Sequence, residues 1–408
     1  MTKSSEIFEE KFGEKPDLYY WSSGRVNIIG EHTDYHDGFV MPAAIDLGIT
    51  WSVKKNGGEV RGYTEKFDEM GQFAISSSER TKFEWMQYLQ GVVEVLKKRG
   101  CIPLRQGSEG LTVSQAKSVK KFGGVDFAIH STIPIGSGLS SSSSLATGFT
   151  FILNDIYDLG FSRKDIAQIA CEAEWWYGTN GGIMDQYCIA NGEKGSAIMI
   201  DCRALAHEII PIPKNIELVV FETTIRHKQI NSPYALRREQ AHEAVSVIKK
   251  LYKNKKVEKM RDVTMEMLDK AKPEIIKKYG KKEGEIIYKR SKHPITENER
   301  VLKMKGYLAN DNFEKIGETM AECHKSLKDD YEVSCKELDE AVKIAQEVKG
   351  LIGCRMIGGG FGGCTLNLVK KGTAQHFAGE LEELYRKKTG IKGNPYICNT
   401  HHGLEIIK

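Results

Sequence analysis

Residues 134–144 run Pro134-Ile135-Gly136-Ser137-Gly138-Leu139-Ser140-Ser141-Ser142-Ser143-Ser144, and nothing else in the chain restricts its fold as much. A strand-like apolar run, Val125 to Ile133, leads in, and a helical apolar pattern (Leu145, Phe149, Phe151, Ile152, Ile156) follows over about Ser141 to Leu159. Glycines let a backbone turn tightly and approach a ligand closely. The helix N-terminus that follows offers unpaired N–H groups and a positive dipole end, a seat for phosphate. Serine hydroxyls add donors and can ligate Mg2+, a hard cation that prefers oxygen. A linker or a simple N-cap cluster is the blander reading of a serine run. Its place between a strand and a buried-looking helix argues against the linker. The terminal Lys-Ser/Thr of a Walker loop is missing, so this would be a different phosphate cradle.

A second segment adds chemistry. Gly24-Arg25-Val26-Asn27-Ile28-Ile29-Gly30-Glu31-His32-Thr33-Asp34-Tyr35 is an apolar strand that ends in glycine and passes at once into polar and charged groups. Arg25 offers a fixed fork of donors, and Glu31 and Asp34 are acceptors suited to hydroxyls. That mixture fits a neutral polyhydroxylated ligand. His32, Asp34 and His36 with Glu31 could also suggest a metal site, but a third ligand cluster is missing and the hydroxyl-binding explanation competes.

At 408 residues the chain is past the size at which one core keeps growing. Two domains are expected, 1–205 and 206–408, although no composition break marks the boundary. A formal charge of +4 suggests neither a nucleic-acid binder nor a membrane-surface protein, while it suits an anionic nucleotide. No apolar run reaches the roughly 18 residues that span a bilayer, and Met1 to Gly13 lacks the apolar core of a signal peptide. The nine cysteines are scattered with no Cys-x-x-Cys pair, which points to reduced thiols and a cytoplasmic location.

The first half reads as strands from Tyr19 to about Val60, a helix over Phe83 to Lys98 stopped by Gly100, the phosphate-loop unit, a helix over Ile166 to Tyr177, and strands from Gly195 to Ile210. Residues 236–350 read as mostly helical, with lysine-rich stretches at 249–259 and 270–290. These are best taken as solvated helix faces, because no aromatic interleaving accompanies them. Strands return at Cys354–Ile357 and Cys364–Val369, followed by a helix near 373–388 and a terminal strand. Strands and helices in runs rather than strict alternation predict an α+β fold. Gly358-Gly359-Gly360-Phe361-Gly362-Gly363 formally satisfies Gly-x-Gly-x-x-Gly, but a strand follows it where a dinucleotide fingerprint needs a helix.

The 24–35 segment resembles the N-terminal signature of the galactokinases, within the galacto-, homoserine, mevalonate and phosphomevalonate (GHMP) kinase superfamily. The 134–144 loop is similar to the superfamily's Pro-x-Gly-x-Gly-Leu-Ser-Ser-Ser motif, with Ser143 where alanine is usual. Gly181-Gly182-Ile183-Met184-Asp185-Gln186 and Ile200-Asp201-Cys202-Arg203 resemble galactokinase blocks, as does the long run from His324 to Asp339. The 358–363 run resembles the third superfamily motif, a glycine loop that closes over the site, with Ile357 in place of threonine. His36 stands in place of the family's asparagine.

The resemblance implies a two-domain GHMP-kinase-like α+β fold with the active site in the cleft between domains. It implies ATP and Mg2+ as cofactors and α-D-galactose as the substrate phosphorylated at its anomeric hydroxyl. Asp185 and Arg25 would be catalytic. Glu31, His32, Thr33, Asp34, Gly182 and Tyr234 would contact the sugar. Gly136, Ser137, Gly138, Leu139, Ser140, Ser141 and Ser142 would hold the nucleotide phosphates, with Trp85 and Tyr88 near adenine, although core packing explains those two aromatics equally well. Ser142 and Glu174 would ligate the metal. The Glu174–Asp185 interval is one residue shorter than in the family and holds Trp175-Trp176, leaving Glu172 as the alternative ligand. A carboxylate beside Arg25 and Mg2+ is a poor base, so Asp185 would align the hydroxyl and take its proton late. A sibling sugar-1-kinase for N-acetylgalactosamine or another galactose-like sugar stays open, as does a non-catalytic galactose sensor. Arg25, Ser142, Asp185 and the glycine loops argue against the sensor.

Overall fold

Long apolar strands at either side of the 24–35 segment build the frame. The computed structural model describes residues 2–103, 120–134, 136–225 and 233–407. After α1 (Lys3–Phe12), β1 (Leu18–Ile29) and β2 (Phe39–Asn56) pair antiparallel, so that the 30–38 turn closes one end of a long hairpin. β3 (Glu59–Thr64), β4 (Glu69–Ala74), α2 (Met86–Lys98) and a two-residue parallel pair, β5 (Ile102–Pro103) and β6 (Lys121–Phe122), follow. β7 (Gly124–Ser131) then runs into the glycine and serine loop and α3 (Ser141–Ile156). Next come α4 (Arg163–Tyr177), α5 (Met184–Asn191), β8 (Ser196–Asp201) and β9 (Ala206–Pro211). The second half begins with β10 (Ile216–Glu222) and five helices: α6 (Pro233–Leu251), α7 (Met265–Tyr279), α8 (Lys281–Ala309), α9 (Phe313–Asp329) and α10 (Lys336–Ala345). β11 (Leu351–Ile357), β12 (Cys364–Lys370), α11 (Ala374–Thr389), β13 (Asn394–Cys398) and β14 (Leu404–Ile407) complete it.

The strands form two main sheets. One has the order β14-β1-β2-β7-β3-β4, with β8 on β2 and β9 on β8; the other is β11-β12-β10-β13. β9 therefore stays with the first sheet, and the end of the chain returns to it through β14, which pairs Tyr19–Ser22 with Leu404–Ile407. The single terminal strand expected from sequence is thus two strands in different sheets. α2 starts at Met86, three residues later than its apolar spacing predicts, because Phe83 to Trp85 form a turn; α3 stops at Ile156 rather than Leu159.

One apolar core runs through both sheets, joining Trp51 and Phe127 of the first, with Phe149 of α3, to Leu218, Met356 and Leu366 of the second. The other face of the second sheet packs under α10 and α11 (Phe221, Val342, Phe377, Tyr385), and α6, α7 and α8 hold a third cluster. α8 is unusual. It buries Arg290, His293, Glu297 and Arg300 as well as Ile295, Val301 and Met304, and it lies against β1 and β2. Among the described residues no helix is long and apolar enough to cross a membrane.

Candidate active site

Arg25 sits in the middle of β1, where the strand passes under the phosphate loop. Its backbone N–H donates to the Leu139 carbonyl, and a Cβ on the preceding Gly24 would lie 2.9 Å from that same oxygen. The side chain is 4% exposed and fully used: Nε and Nη2 reach the two oxygens of Asp185 at 2.7 and 2.8 Å, and Nη1 donates to the Gly138 carbonyl at 2.5 Å. Ser140 Oγ also donates to Asp185. Burial alone would lower the Arg25 guanidinium, but Asp185 and Glu31 outweigh it and hold it above its ordinary value. Asp185 lies in the first turn of α5, 160 residues from Arg25 in the chain, and remains partly open to solvent. A bidentate guanidinium fork fixes a carboxylate in both distance and plane. Ser140 adopts φ +64, a left-handed conformation that costs a non-glycine residue about 1–2 kcal/mol and is held here by the surrounding contacts.

The 30–36 turn hangs on residues from far along the chain. Glu297 of α8 accepts the N–H groups of Gly30 (2.7 Å) and Glu31 (3.2 Å), and His293 lies 3.0 Å from the Glu31 carbonyl. The Glu31 carboxylate accepts from Arg355 of β11 at 2.7 Å and from Asn27 at 3.2 Å, and Arg355 itself has no exposed surface. Burial pushes Glu31 up, and the guanidinium groups of Arg355 and Arg25 only partly offset it. His32 has φ +61 and sets Nδ1 2.7 Å from the Tyr35 hydroxyl. Burial, reinforced by His293, takes its imidazole down to about 3, so it is neutral at physiological pH. The Thr33 hydroxyl is committed to the carbonyls of Gly30 and Phe39 and so shapes the turn. Asp34 accepts from Met184 N–H, and a Cβ on Gly182 would fall 2.0 Å from its carboxylate. Only glycine leaves that carboxylate its place.

Asp34 has a measurable consequence for stability. Burial and then the neighbouring Asp185 charge raise it from 3.8 to about 6. A carboxyl group raised in the folded state binds its proton there more tightly than when unfolded, so ionisation opposes folding as pH rises from about 4 to 6. Asp34→Asn should therefore stabilise the free protein by about 1–2 kcal/mol above pH 6, allowing for the solvent that reaches this group. The gain should vanish as pH falls below 4. Denaturant melts of both proteins at pH 5 and pH 8 check the sign, and the same variant should lose sugar binding.

The phosphate loop is pressed from the other lobe. A Cβ on Gly358, the first glycine of the 358–363 run, would lie 3.4 Å from Gly138 Cα. Gly360 packs against the Val333 carbonyl, where a Cβ would come within 2.2 Å. Ser137 is buried and donates to the Pro134 carbonyl, closing the turn, and Leu139 is a core residue. Gly136, Ser141 and Ser142 keep solvent access. Glu174, in the last turn of α4, is 9% exposed and accepts from Gln186 at 2.9 Å. Burial lifts it to about 7, with the nearby Ser143 hydroxyl opposing and the Asp185 charge adding to the rise. Among the described residues no basic side chain forms an ion pair with it. A buried carboxylate with no basic partner and the solvent-accessible Ser142 hydroxyl are oxygen donors of the kind Mg2+ takes. The residues fit the metal.

Not every residue singled out in the sequence converges here. Trp85 is a core residue: its indole donates to Glu69 at 2.7 Å and meets Phe127 edge-on, so the core-packing alternative describes it. Tyr88 stacks on Tyr177 at 4.1 Å. Glu172 turns away to pair with Arg99 at 2.6 Å, which leaves Glu174 as the inward carboxylate of α4. Tyr234 lies in the first turn of α6, and its side chain is outside the described residues. His36 is buried between the rings of Tyr35 and His242. Sequence reasoning missed Glu297, His293 and Arg355. The one available signal was the spacing His293, Glu297, Arg300, which aligns three polar groups on one face of a helix.

Comparison with known proteins agrees with this geometry. Residues 6–55 match the galactokinase galactose-binding signature, 108–193 the GHMP kinases N-terminal domain and 304–387 the GHMP kinases C-terminal domain. The galactokinase of Actinobacillus pleuropneumoniae serotype 5b is 35% identical over 99% of this chain and 98% of its own, and that of Chloroflexus aurantiacus 37% over 98% and 96%. The crystal structure of Lactococcus lactis galactokinase complexed with galactose superposes with a TM-score of 0.86 at 30% identity, covering 99% of this chain and 98% of that one. Methanococcus jannaschii mevalonate kinase, 18% identical with a TM-score of 0.58, shares the fold. Signature, full-length relatives and superposed structure all point the same way, and the chain belongs to the galactokinase family of the GHMP kinases.

Proposed function

We propose that the chain transfers the γ-phosphoryl group of ATP to the anomeric hydroxyl of α-D-galactose, giving galactose 1-phosphate and ADP. The observation that carries this reading is the Asp185 carboxylate, fixed by both nitrogens of the Arg25 fork and by Ser140 at the point where the sugar signature meets the phosphate loop. Glu31, His32, Asp34, Gly182 and Tyr234 would contact the sugar. Gly136 to Ser142 would hold the nucleotide phosphates, and Ser142 and Glu174 would hold Mg2+. When bound, Mg2+ supplies positive charge to the phosphate oxygens.

The protein's own groups divide the remaining work. Phosphoryl transfer has a loose transition state, so positioning and charge neutralisation dominate. Asp185 accepts a hydrogen bond from the anomeric hydroxyl and takes its proton late, as the bond to phosphorus forms. Arg25 keeps that carboxylate in line and balances its charge throughout. Glu31 would repel a uronic acid and favours a neutral 6-hydroxymethyl group. Nine unpaired cysteines suit the reducing cytoplasm in which ATP is abundant.

ADP release with galactose, N-acetylgalactosamine, galacturonate and glucose, each beside an Asp185→Asn control, tests the reading. Turnover should be confined to galactose. Turnover with the amino sugar or the uronate instead would move the chain to a sibling kinase, and sugar binding without turnover would make it a sensor.

A further inference from the structure

We infer that Ser143 is a positioning residue for the divalent cation: its hydroxyl holds the Gln186 amide, which in turn fixes the Glu174 carboxylate that faces the metal. The inference rests on the proposed assignment of Glu174 and Ser142 as the groups that hold Mg2+. Ser142 and Ser143 are consecutive in the first turn of α3, so their side chains point about 100° apart. Ser142 keeps solvent access, whereas Ser143 is 2% exposed and turned toward α4 and α5.

There Gln186 Nε2 donates to Ser143 Oγ at 3.3 Å and to Glu174 Oε1 at 2.9 Å. Gln186 thus links the three groups across three helices. Glu174 lies in the last turn of its helix, and its side chain has three rotatable bonds to be fixed. An amide that is itself held by Ser143 selects a single carboxylate orientation. Gln186 Oε1 is buried and has no hydrogen-bond partner among the described residues. It is an acceptor left over for a water in the hydration shell that Mg2+ tends to keep. Partners that orient a metal ligand typically carry about 10–100-fold in metal affinity.

The test is a Mn2+ titration by electron paramagnetic resonance, with ADP present, on the wild-type protein and on Ser143→Ala, Glu174→Gln and Gln186→Met variants. ADP affinity in EDTA is measured alongside. Ser143→Ala removes one buried hydroxyl and should weaken Mn2+ by about tenfold while ADP affinity in EDTA stays unchanged. Its effect should shrink when Gln186→Met is already present, because the two act through one carboxylate. Mn2+ affinity within twofold of wild type in Ser143→Ala, with Glu174→Gln impaired, would overturn the inference and leave the proposed metal ligands standing. An unimpaired Glu174→Gln would overturn that assignment itself. An equal loss of ADP affinity in EDTA would mean a distorted phosphate loop and would also overturn the inference.

Discussion

Asp185→Asn should lower kcat by about 10³-fold or more and change the KM for galactose far less. The carboxylate accepts from Arg25 Nε, Arg25 Nη2 and Ser140 at once. An amide supplies one oxygen, so its NH2 must face a guanidinium N–H whichever way it is turned, Nε on one side or Nη2 on the other, and donors cannot pair with donors. Arg25 would then lose its counter-charge in a site where it is 4% exposed, and the group meant to receive the sugar proton would be neutral. Both losses fall on the transition state rather than on sugar binding, which is why the effect belongs in kcat. Steady-state kinetics with galactose decide it. A kcat above a tenth of wild type would remove Asp185 from the reaction.

Glu297→Ala should be the most damaging change far from the phosphate, costing about 3–5 kcal/mol of stability and raising the KM for galactose. One buried carboxylate collects the N–H groups of Gly30 and Glu31, the Arg300 Nε at 2.6 Å and the Cys323 thiol at 3.0 Å. Burial pushes Glu297 up, but Arg300, His293 and Arg355 prevail and bring it down to about 2. An acid depressed in the folded state contributes stability that is complete above its unfolded value and lost as pH falls toward 2. Truncation would leave Arg300 with unbalanced charge and two backbone donors unmet in a dry interior. Glu297→Gln keeps an oxygen for the Gly30 and Glu31 amides and gives up the charge. It should fall between wild type and alanine in denaturant melts, with galactose affinity closer to wild type. If glutamine and alanine matched in galactose KM, the two amide bonds would have no part in holding the sugar turn.

Much of this site could be read along the chain, because its parts are contiguous. Arg25 to Asp34 and Gly136 to Ser142 are single backbone stretches whose glycines, hydroxyls and charges announce themselves, and the glycine pair before Asp185 did the same. The α+β class followed from runs of like elements and is the class of the fold. What supports those stretches could not be read. The Gly30 amide meets a carboxylate 267 residues away, and Arg355 reaches Glu31 from the opposite sheet. No local pattern encodes such a pairing, and buried polar groups on α8 look in sequence like the solvated face of a lysine-rich helix. Trp85 shows the converse ambiguity. An aromatic at helical spacing near a nucleotide site is also what a core needs, and its contacts with Glu69 and Phe127 are those of a core residue.

The return of β14 to β1 sets how the chain can be cut. The main-chain path leaves the first sheet after β9, builds the second sheet and most of the helices, and comes back to finish the first. The second lobe is, in topological terms, an insertion rather than an appended half. A fragment ending near residue 205 would lack β9 and would bare the Tyr19–Ser22 edge of β1, a template for pairing with other chains. Neither half should be soluble alone, whereas the two pieces made together have every strand partner they need and should reassemble into working enzyme.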